Sequence, residues 1–300
     1  MATPARAYPE NTPGTFFVDD TCIDCDLCRQ IAPSVFKEDS DHSVVYRQPD
    51  SGPDTRRAAM ALVACPTGSI GTRTKVDVQA AARAYPELVD DNVYFCGYAS
   101  PDSYGAASYL IVRPEGNVLV DSPRFARTLV RRIEGMGGVS LMFFTHRDDV
   151  ADHEKFREHF RCERIIHRAD AGGIETERLM EGEEPIPLSE DLLAIPVPGH
   201  TRGHVVLLYR NKFLFTGDHL AWSDSTRQGG GLIAFRSVAW YSWREQTRSM
   251  KRLLDYDFQW VLPGHGRRAH QTQDAMHESL IGCIQWMSGA NASSTERSQE

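Results

Sequence analysis

From about residue 92 the chain alternates short apolar runs with turn residues. "NVYFCGYA" (92–99), "SYLIVRPEG" (108–116) and "NVLVDSP" (117–123) are apolar or alternating stretches bounded by Asn, Gly, Pro and Ser, the pattern of strands. Glu115-Gly116-Asn117, between the last two, predicts a hairpin turn. "PRFARTLVRRIEGMGG" (123–138) places apolar residues at helical spacing and closes on Gly137-Gly138, which predicts an amphipathic helix. "VSLMFFTH" (139–146) reads as a buried strand, "HEKFREHF" (153–160) as a helix and "RIIHRAD" (164–170) as a short strand. "LLAIPVPGH" (192–200), "VVLLYRN" (205–211) and "KFLFTGDHL" (212–220) read as strands again. "SWREQTRSMKRLLDYD" (242–257) predicts an amphipathic helix, "WVLPGHG" (260–266) a strand and loop, and "DAMHESLIGCIQWMSG" (274–289) the last helix. Strands and helices mix, and several strands run into loops bearing His or Asp. That predicts a layered α/β architecture with a site at one sheet edge.

The first third has a different texture. Residues 1–15 are rich in Pro and Thr and read as extended, 16–75 as a small compact unit, and 76–91 as a connector. The α/β domain is expected over 92–288, and 289–300 is polar and expected to be a disordered tail. Apolar residues at 41% and charged residues at 25% are ordinary for a soluble globular chain. A formal charge of -8 argues against nucleic acid or an anionic membrane as partner, because nothing here neutralises phosphates in bulk. The sequence contains no long apolar run of the kind that spans a membrane. The N-terminal residues have no apolar signal core, so a cytoplasmic location is expected.

Seven cysteines in such a chain point to metal rather than disulfides. Cys22, Cys25 and Cys28 form C-x2-C-x2-C, and Cys65-Pro66 follows at a distance. Four thiolates in this arrangement suit an iron–sulfur cluster. The slot that would serve a second cluster reads Ala32-Pro33, so one cluster is expected, and a cysteine at all three clustered positions favours [4Fe-4S]. A four-cysteine zinc site is the competing reading, although such sites more often pair two C-x2-C knuckles. Residues 16–75 resemble a single-cluster bacterial-type ferredoxin, which implies a small α+β domain. Cys96, Cys162 and Cys283 stand alone and read as buried small hydrophobes.

Four loops carry metal-type residues, each after an apolar strand: "THRDDVADH" (145–153), "PGHTRGH" (198–204), "FTGDHL" (215–220) and "LPGHG" (262–266). The last three, in that order, resemble the metallo-β-lactamase fold superfamily from about Asn92 to Met287. The resemblance implies a four-layer αββα sandwich, commonly two metal ions, and hydrolysis of esters, thioesters, amides or phosphoesters. By the same resemblance His200 serves the first metal, Asp218 bridges both, and His265 serves the second. His204 reads as a support for its Gly-rich turn, His219 as facing elsewhere, and His167 as a packing or supporting residue.

The first loop departs from that superfamily's H-x-H-x-D-H. The simplest account is two extra residues, with His146 kept at the start and Asp152-His153 at the end. Asp148 or Asp149 then stands in for the missing histidine. The expected ligand set is His146, Asp149, Asp152, His153, His200, Asp218 and His265, with Asp152 also orienting the nucleophile or taking its proton. A competing reading makes Asp152 the N-cap of the following helix. A carboxylate in place of an imidazole hardens the site and moves its preference from zinc towards iron or manganese. "AWYSW" (239–243) and Phe235 are candidates to line the substrate side.

Three functions follow. The leading one is a metal-dependent hydrolase of a small-molecule substrate, fused to an iron–sulfur domain. The second is a di-iron redox enzyme acting on oxygen or nitric oxide, fed by the cluster through a partner such as a ferredoxin reductase. The third is a non-catalytic electron carrier or redox sensor.

Overall fold

The computed structural model describes residues 2–224 and 230–296, with side chains as far as Gly289. The chain divides into two compact units, 1–142 with 150–163, and 143–149 with 164–300. Among the described residues no helix is long and apolar enough to cross a membrane.

In the first unit the strands Phe16–Val18 and Ile70–Thr72 pair antiparallel, and Phe36–Asp39 forms a hairpin with His42–Val45. Two helices, Leu27–Ile31 and Gly52–Ala64, belong to the same segment. The second starts where Ser51 accepts a hydrogen bond from the Asp54 amide and Pro53 occupies the first turn, where a missing N–H costs nothing. It ends at Ala64, so Cys65 caps its C-terminus.

Later in this unit Glu87–Asp90, Val93–Phe95, Tyr109–Ile111 and Val118–Val120 form an antiparallel meander. The Glu115-Gly116-Asn117 hairpin is present, closed by the Gly116 amide on the Arg113 carbonyl. The amphipathic helix is shorter than the pattern predicted, Arg127–Gly135, and buries Leu129, Val130 and Ile133.

The second unit is built on a six-stranded sheet in the order Ile186–Ser189, Leu192–Pro196, Val205–Tyr209, Phe213–Gly217, Trp260–Pro263, Ala269–His270. Val205–Tyr209 and Phe213–Gly217 are buried at every position. Their side chains alternate between two covered faces, so the runs read as continuously apolar rather than alternating. Leu214, Val206, Val261 and Ile195 join Met250, Leu253, Met276, Leu280 and Met287 in one core, which ties the sheet to the helices Trp243–Met250 and Gln273–Glu296. Each such side chain contributes about 1.5–3 kcal/mol by leaving water.

Trp243–Met250 starts at Ser242, whose hydroxyl accepts from the Glu245 amide. It passes into a tighter turn over Lys251–Asp255, where one continuous helix was expected. The last helix runs on to Glu296, into the stretch expected to be tail. No proline interrupts that stretch, and Ala and Ser there tolerate helix well enough to extend a docked helix. Residues 297–300 lie outside the described residues.

Candidate metal centre and cluster site

In the first unit, Cys22, Cys25, Cys28 and Cys65 face one another closely enough for their charges to interact. Burial, and then repulsion from Cys65 and Cys22, pushes the Cys25 thiol up to about 12. Burial first, then its three neighbours, raises Cys28 as well. Four cysteines facing one another are a donor set that a cation would hold as thiolates. Four thiolates on one zinc, each about 2.3 Å from the metal, would sit roughly 4 Å apart. No three of these four sulfurs all lie within 4.8 Å of one another. The loop between them is held by charge. Asp24 and Asp26 adopt left-handed φ of 55° and 63°, where Asp is tolerated better than most residues. The buried Arg29 guanidinium ties both carboxylates, reaching Asp24 at 2.7 Å.

In the second unit four loops meet. The strand Phe213–Gly217 runs parallel to Trp260–Pro263, with Gly217 opposite Pro263 and the Gly264 amide on the Gly217 carbonyl. The residues leaving the two strands are therefore neighbours, and His265 Nε2 lies 4.0 Å from Asp218 Oδ2. Gly217 has φ +48°, and a Cβ there would lie 2.4 Å from Thr145 Oγ1, so the "TGDH" turn requires glycine. The antiparallel strands Leu192–Pro196 and Val205–Tyr209 carry "PGHTRGH" between them, and the Val205 amide bonds the Thr145 carbonyl, bringing the "THRDD" loop alongside.

At this junction Asp218 Oδ2 lies 3.9 Å from His146 Nε2 and 3.6 Å from His200 Nε2. Asp148 Oδ2 lies 3.9 and 3.5 Å from the same two nitrogens. Two overlapping groups have metal-site spacing: His146, Asp148 and His200, and His146, Asp149 and Asp218. A Cβ added at Gly264 would lie 2.7 Å from Asp149 Oδ2 and 3.1 Å from Asp218 Oδ1, so both carboxylates crowd this glycine. His146 Nε2, both ring nitrogens of His200 and Asp218 Oδ1 are buried without a hydrogen-bond partner. Buried polar atoms are normally satisfied, so orphans converging from three loops mark the place of a cation.

The protonation states suit one. Burial lowers His146 to about 4, which keeps it neutral. Asp148 is held below the usual carboxylate range, first by the His200 ring 3.5 Å away and then by His146 and Arg147. Burial pushes the Asp218 carboxyl up, but His265, His146 and His200 outweigh it and the net direction is down.

Asp152 and His153 are in neither group and belong to the first unit. Asp152 sits at the N-cap position of the helix His153–Phe160. Its two oxygens accept from the Phe125 amide at 2.7 Å and from Lys155 Nζ at 2.6 Å. Asp148, left open against Asp149 by the sequence, lies with His146 and His200. His167 closes a turn, accepting from the Ala169 amide and meeting the Gly182 carbonyl.

Two further residues support the centre. His204 Nε2 accepts the Asp218 amide at 3.2 Å, which places its ring proton on Nδ1. Asp170, from "RIIHRAD", is buried and accepts from the Thr201 hydroxyl, the Gly203 amide and the Arg147 amide, locking the "THRDD" and "PGHTRGH" loops together. Only its position after an apolar strand hinted at it. Trp240 is exposed and its ring lies 6.1 Å from that of His200, because the Tyr241 and Ser242 amides bond the carbonyls of His200 and Gly199.

Comparison with solved structures places this geometry. The DIM-1 metallo-β-lactamase, in a crystal exposed to ceftazidime, superposes with a TM-score of 0.52 at 20% identity, over 68% of this chain and 96% of its own. A metallo-β-lactamase from Hirschia baltica gives 0.51 at 17% identity, over 67% and 95%. The larger part of this chain has the metallo-β-lactamase fold. Identities of this size speak to the fold alone. In this chain the loops after "LMFF", "LLAIPV", "KFLFT" and "WVLP" supply the convergent His and Asp residues described above. Residues 18–72 match the family described as the 4Fe-4S single cluster domain of Ferredoxin I, so a ferredoxin-type domain precedes that fold. No curated protein matches the chain.

Proposed function

We propose that the protein is a metal-dependent hydrolase carrying an accessory iron–sulfur domain. The observation that carries this reading is the position of Asp218. Its Oδ2 lies within 3.6 to 4.0 Å of the Nε2 atoms of His146, His200 and His265. His146, Asp148 and His200 would hold one cation and Asp149 and His265 a second, with the Asp218 carboxylate within reach of both sets. Three carboxylates balance three of the four positive charges of two divalent ions, and the remainder favours an anionic nucleophile or substrate oxygen. Bound there, the two ions would lower the pKa of water and polarise a carbonyl or phosphoryl oxygen. The chain's own part is to hold the imidazoles and the carboxylates in place, through His204 and Asp170. Trp240 offers an apolar face beside His200 for the substrate. Asp152 is given no part, since both its oxygens are engaged elsewhere.

The carboxylate Asp148, where the superfamily pattern has histidine, supports a second reading in which the pair of ions is iron and the site performs redox chemistry. Separate iron, zinc and sulfide counts on anaerobically purified protein distinguish the two. Zinc beyond a cluster's iron, with turnover of ester, thioester or phosphoester probes, supports the hydrolase. Iron beyond the cluster's share, without zinc or turnover, supports the redox reading. Asp218→Ala should remove the second-site metal and spare the cluster; retention of all metal would overturn the ligand assignment.

A further inference from the structure

A line of side chains connects the buried carboxylate of Asp19 to the sulfur of Cys65. Thr21 Oγ1 donates to Asp19 Oδ1 at 2.5 Å. Thr21 Oγ1 meets Ser69 Oγ at 2.8 Å, Ser69 Oγ meets Thr67 Oγ1 at 2.6 Å, and Thr67 Oγ1 meets Cys65 Sγ at 3.8 Å. Thr67 and Ser69 lie in the turn that joins Cys65 to the strand Ile70–Thr72, and Ser69 is buried. Thr21 lies next to Cys22 in the chain, so both ends of the four-cysteine set border this line.

The number of protons makes the line unusual. There are four contacts and three hydroxyls. Burial pushes the Asp19 carboxyl up, but hydrogen bonds from the Thr21 hydroxyl and the Thr3 and Thr21 amides outweigh it, and it stays an acceptor. Cys65, when ligating iron, carries no proton and also only accepts. The Thr21 proton is thus committed to Asp19. Two protons remain for three contacts, those of Ser69 and Thr67. If Ser69 donates to Thr21, Thr67 can donate to Ser69 and the sulfur receives nothing. If Thr67 donates to the sulfur, Ser69 can donate to Thr67 and the contact with Thr21 is left without a proton. The first arrangement satisfies oxygen acceptors, and the second satisfies the sulfur.

We propose that this hydroxyl line is a charge-responsive switch that tunes the cluster held by Cys65, with Thr67 turning its proton to the sulfur when the cluster gains an electron. Hydrogen bonds to cluster sulfurs are one of the determinants of reduction potential. The added negative charge favours donation to sulfur, and the two hydroxyls rotate together. No proton enters or leaves the line, so the step needs only the electron supplied by the reductant. Thr67 and Ser69 act as positioning and tuning residues, and they have opposite effects. Thr67 stabilises the reduced state, while Ser69 competes with the sulfur for the same proton in the oxidised state.

The test is an EPR-monitored redox titration with dithionite on the full-length protein, purified anaerobically, with iron and sulfide counted in every variant. The expected result for Thr67→Val is about a tenfold fall in the reduction equilibrium constant, which is about 59 mV to more negative potential for one electron. Ser69→Ala should shift the potential the other way, because Thr67 then has only the sulfur to bond. Thr67→Ser, which keeps the hydroxyl, should match the wild type. Shifts of the same sign in Thr67→Val and Ser69→Ala, or a Thr67→Ser variant that behaves like Thr67→Val, overturn the proposal. If Thr67→Val fails to hold its cluster, Ser69→Ala decides alone, and an unchanged or more negative potential there overturns it.

Discussion

The main-chain N–H of Asp218 donates to Nε2 of His204 over 3.2 Å, so a histidine outside the metal-spaced groups fixes the carboxylate at their centre. The His204 ring also stacks on His146, with centroids 4.9 Å apart. Replacing His204 by Ala should cost metal affinity at this centre roughly 10- to 100-fold, the usual penalty for losing a residue that orients a ligand. Equilibrium dialysis against zinc measures it. Affinity equal to the wild type would show that the Asp218 backbone needs no such support.

Asp170 holds two loops with one carboxylate. Asp170→Asn presents an NH2 group to donors and is expected to cost roughly 3 kcal/mol of stability. Urea unfolding of the metal-free protein should show the loss, and the metal-loaded variant should bind more weakly because His146 and His200 are no longer clamped together. A midpoint within error of the wild type would mean that the loops are held by other contacts.

Gly199 lies against the first turn of the helix Trp243–Met250. A Cβ at Gly199 would sit 2.3 Å from Gln246 Cβ and 2.4 Å from its Cα, so the helix backbone itself must move. Gly199→Ala should destabilise by about 3 kcal/mol and displace the adjacent His200. Thermal melts and metal content should fall together; a stable variant that lacks metal would separate the two effects.

Acid should destabilise the metal-free protein earlier than its carboxylates alone would. Burial lowers His146 to about 4 and His219 to about 3. The unfolded chain takes up these protons near pH 6.5, so the stability is fully present above that pH and is lost as pH falls towards the folded values. His146 alone accounts for roughly 3 kcal/mol of this slope. Both His219 ring nitrogens are buried without a hydrogen-bond partner. His219→Leu should therefore flatten the fall in urea midpoint between pH 6.5 and 4. An unchanged slope would place the acid sensitivity elsewhere.

The spacing of Cys22, Cys25, Cys28 and Cys65 is a one-dimensional constraint strong enough to specify a cluster domain, and residues 18–72 match one. "PGHTRGH", "TGDHL" and "LPGHG", in that order, likewise announced the fold through their resemblance to a known superfamily. The loop "HRDDVADH" was different. It fits the superfamily pattern in neither register, and among three aspartates within five residues nothing in their order says which one turns towards His146.

The sequence by itself thus determined the two donor sets: four cysteines in a ferredoxin-type domain, and imidazoles and carboxylates in the loops of the larger fold. Only the tertiary structure decided which atoms meet. Asp148 and Asp149 lie with His146, and Asp218 stands among three imidazoles, because parallel pairing of Phe213–Gly217 with Trp260–Pro263 sets their loops side by side. Asp152 instead meets the Phe125 amide and Lys155. Contacts of this kind join residues distant in the chain, and their geometry depends on how strands pair, which no local pattern encodes.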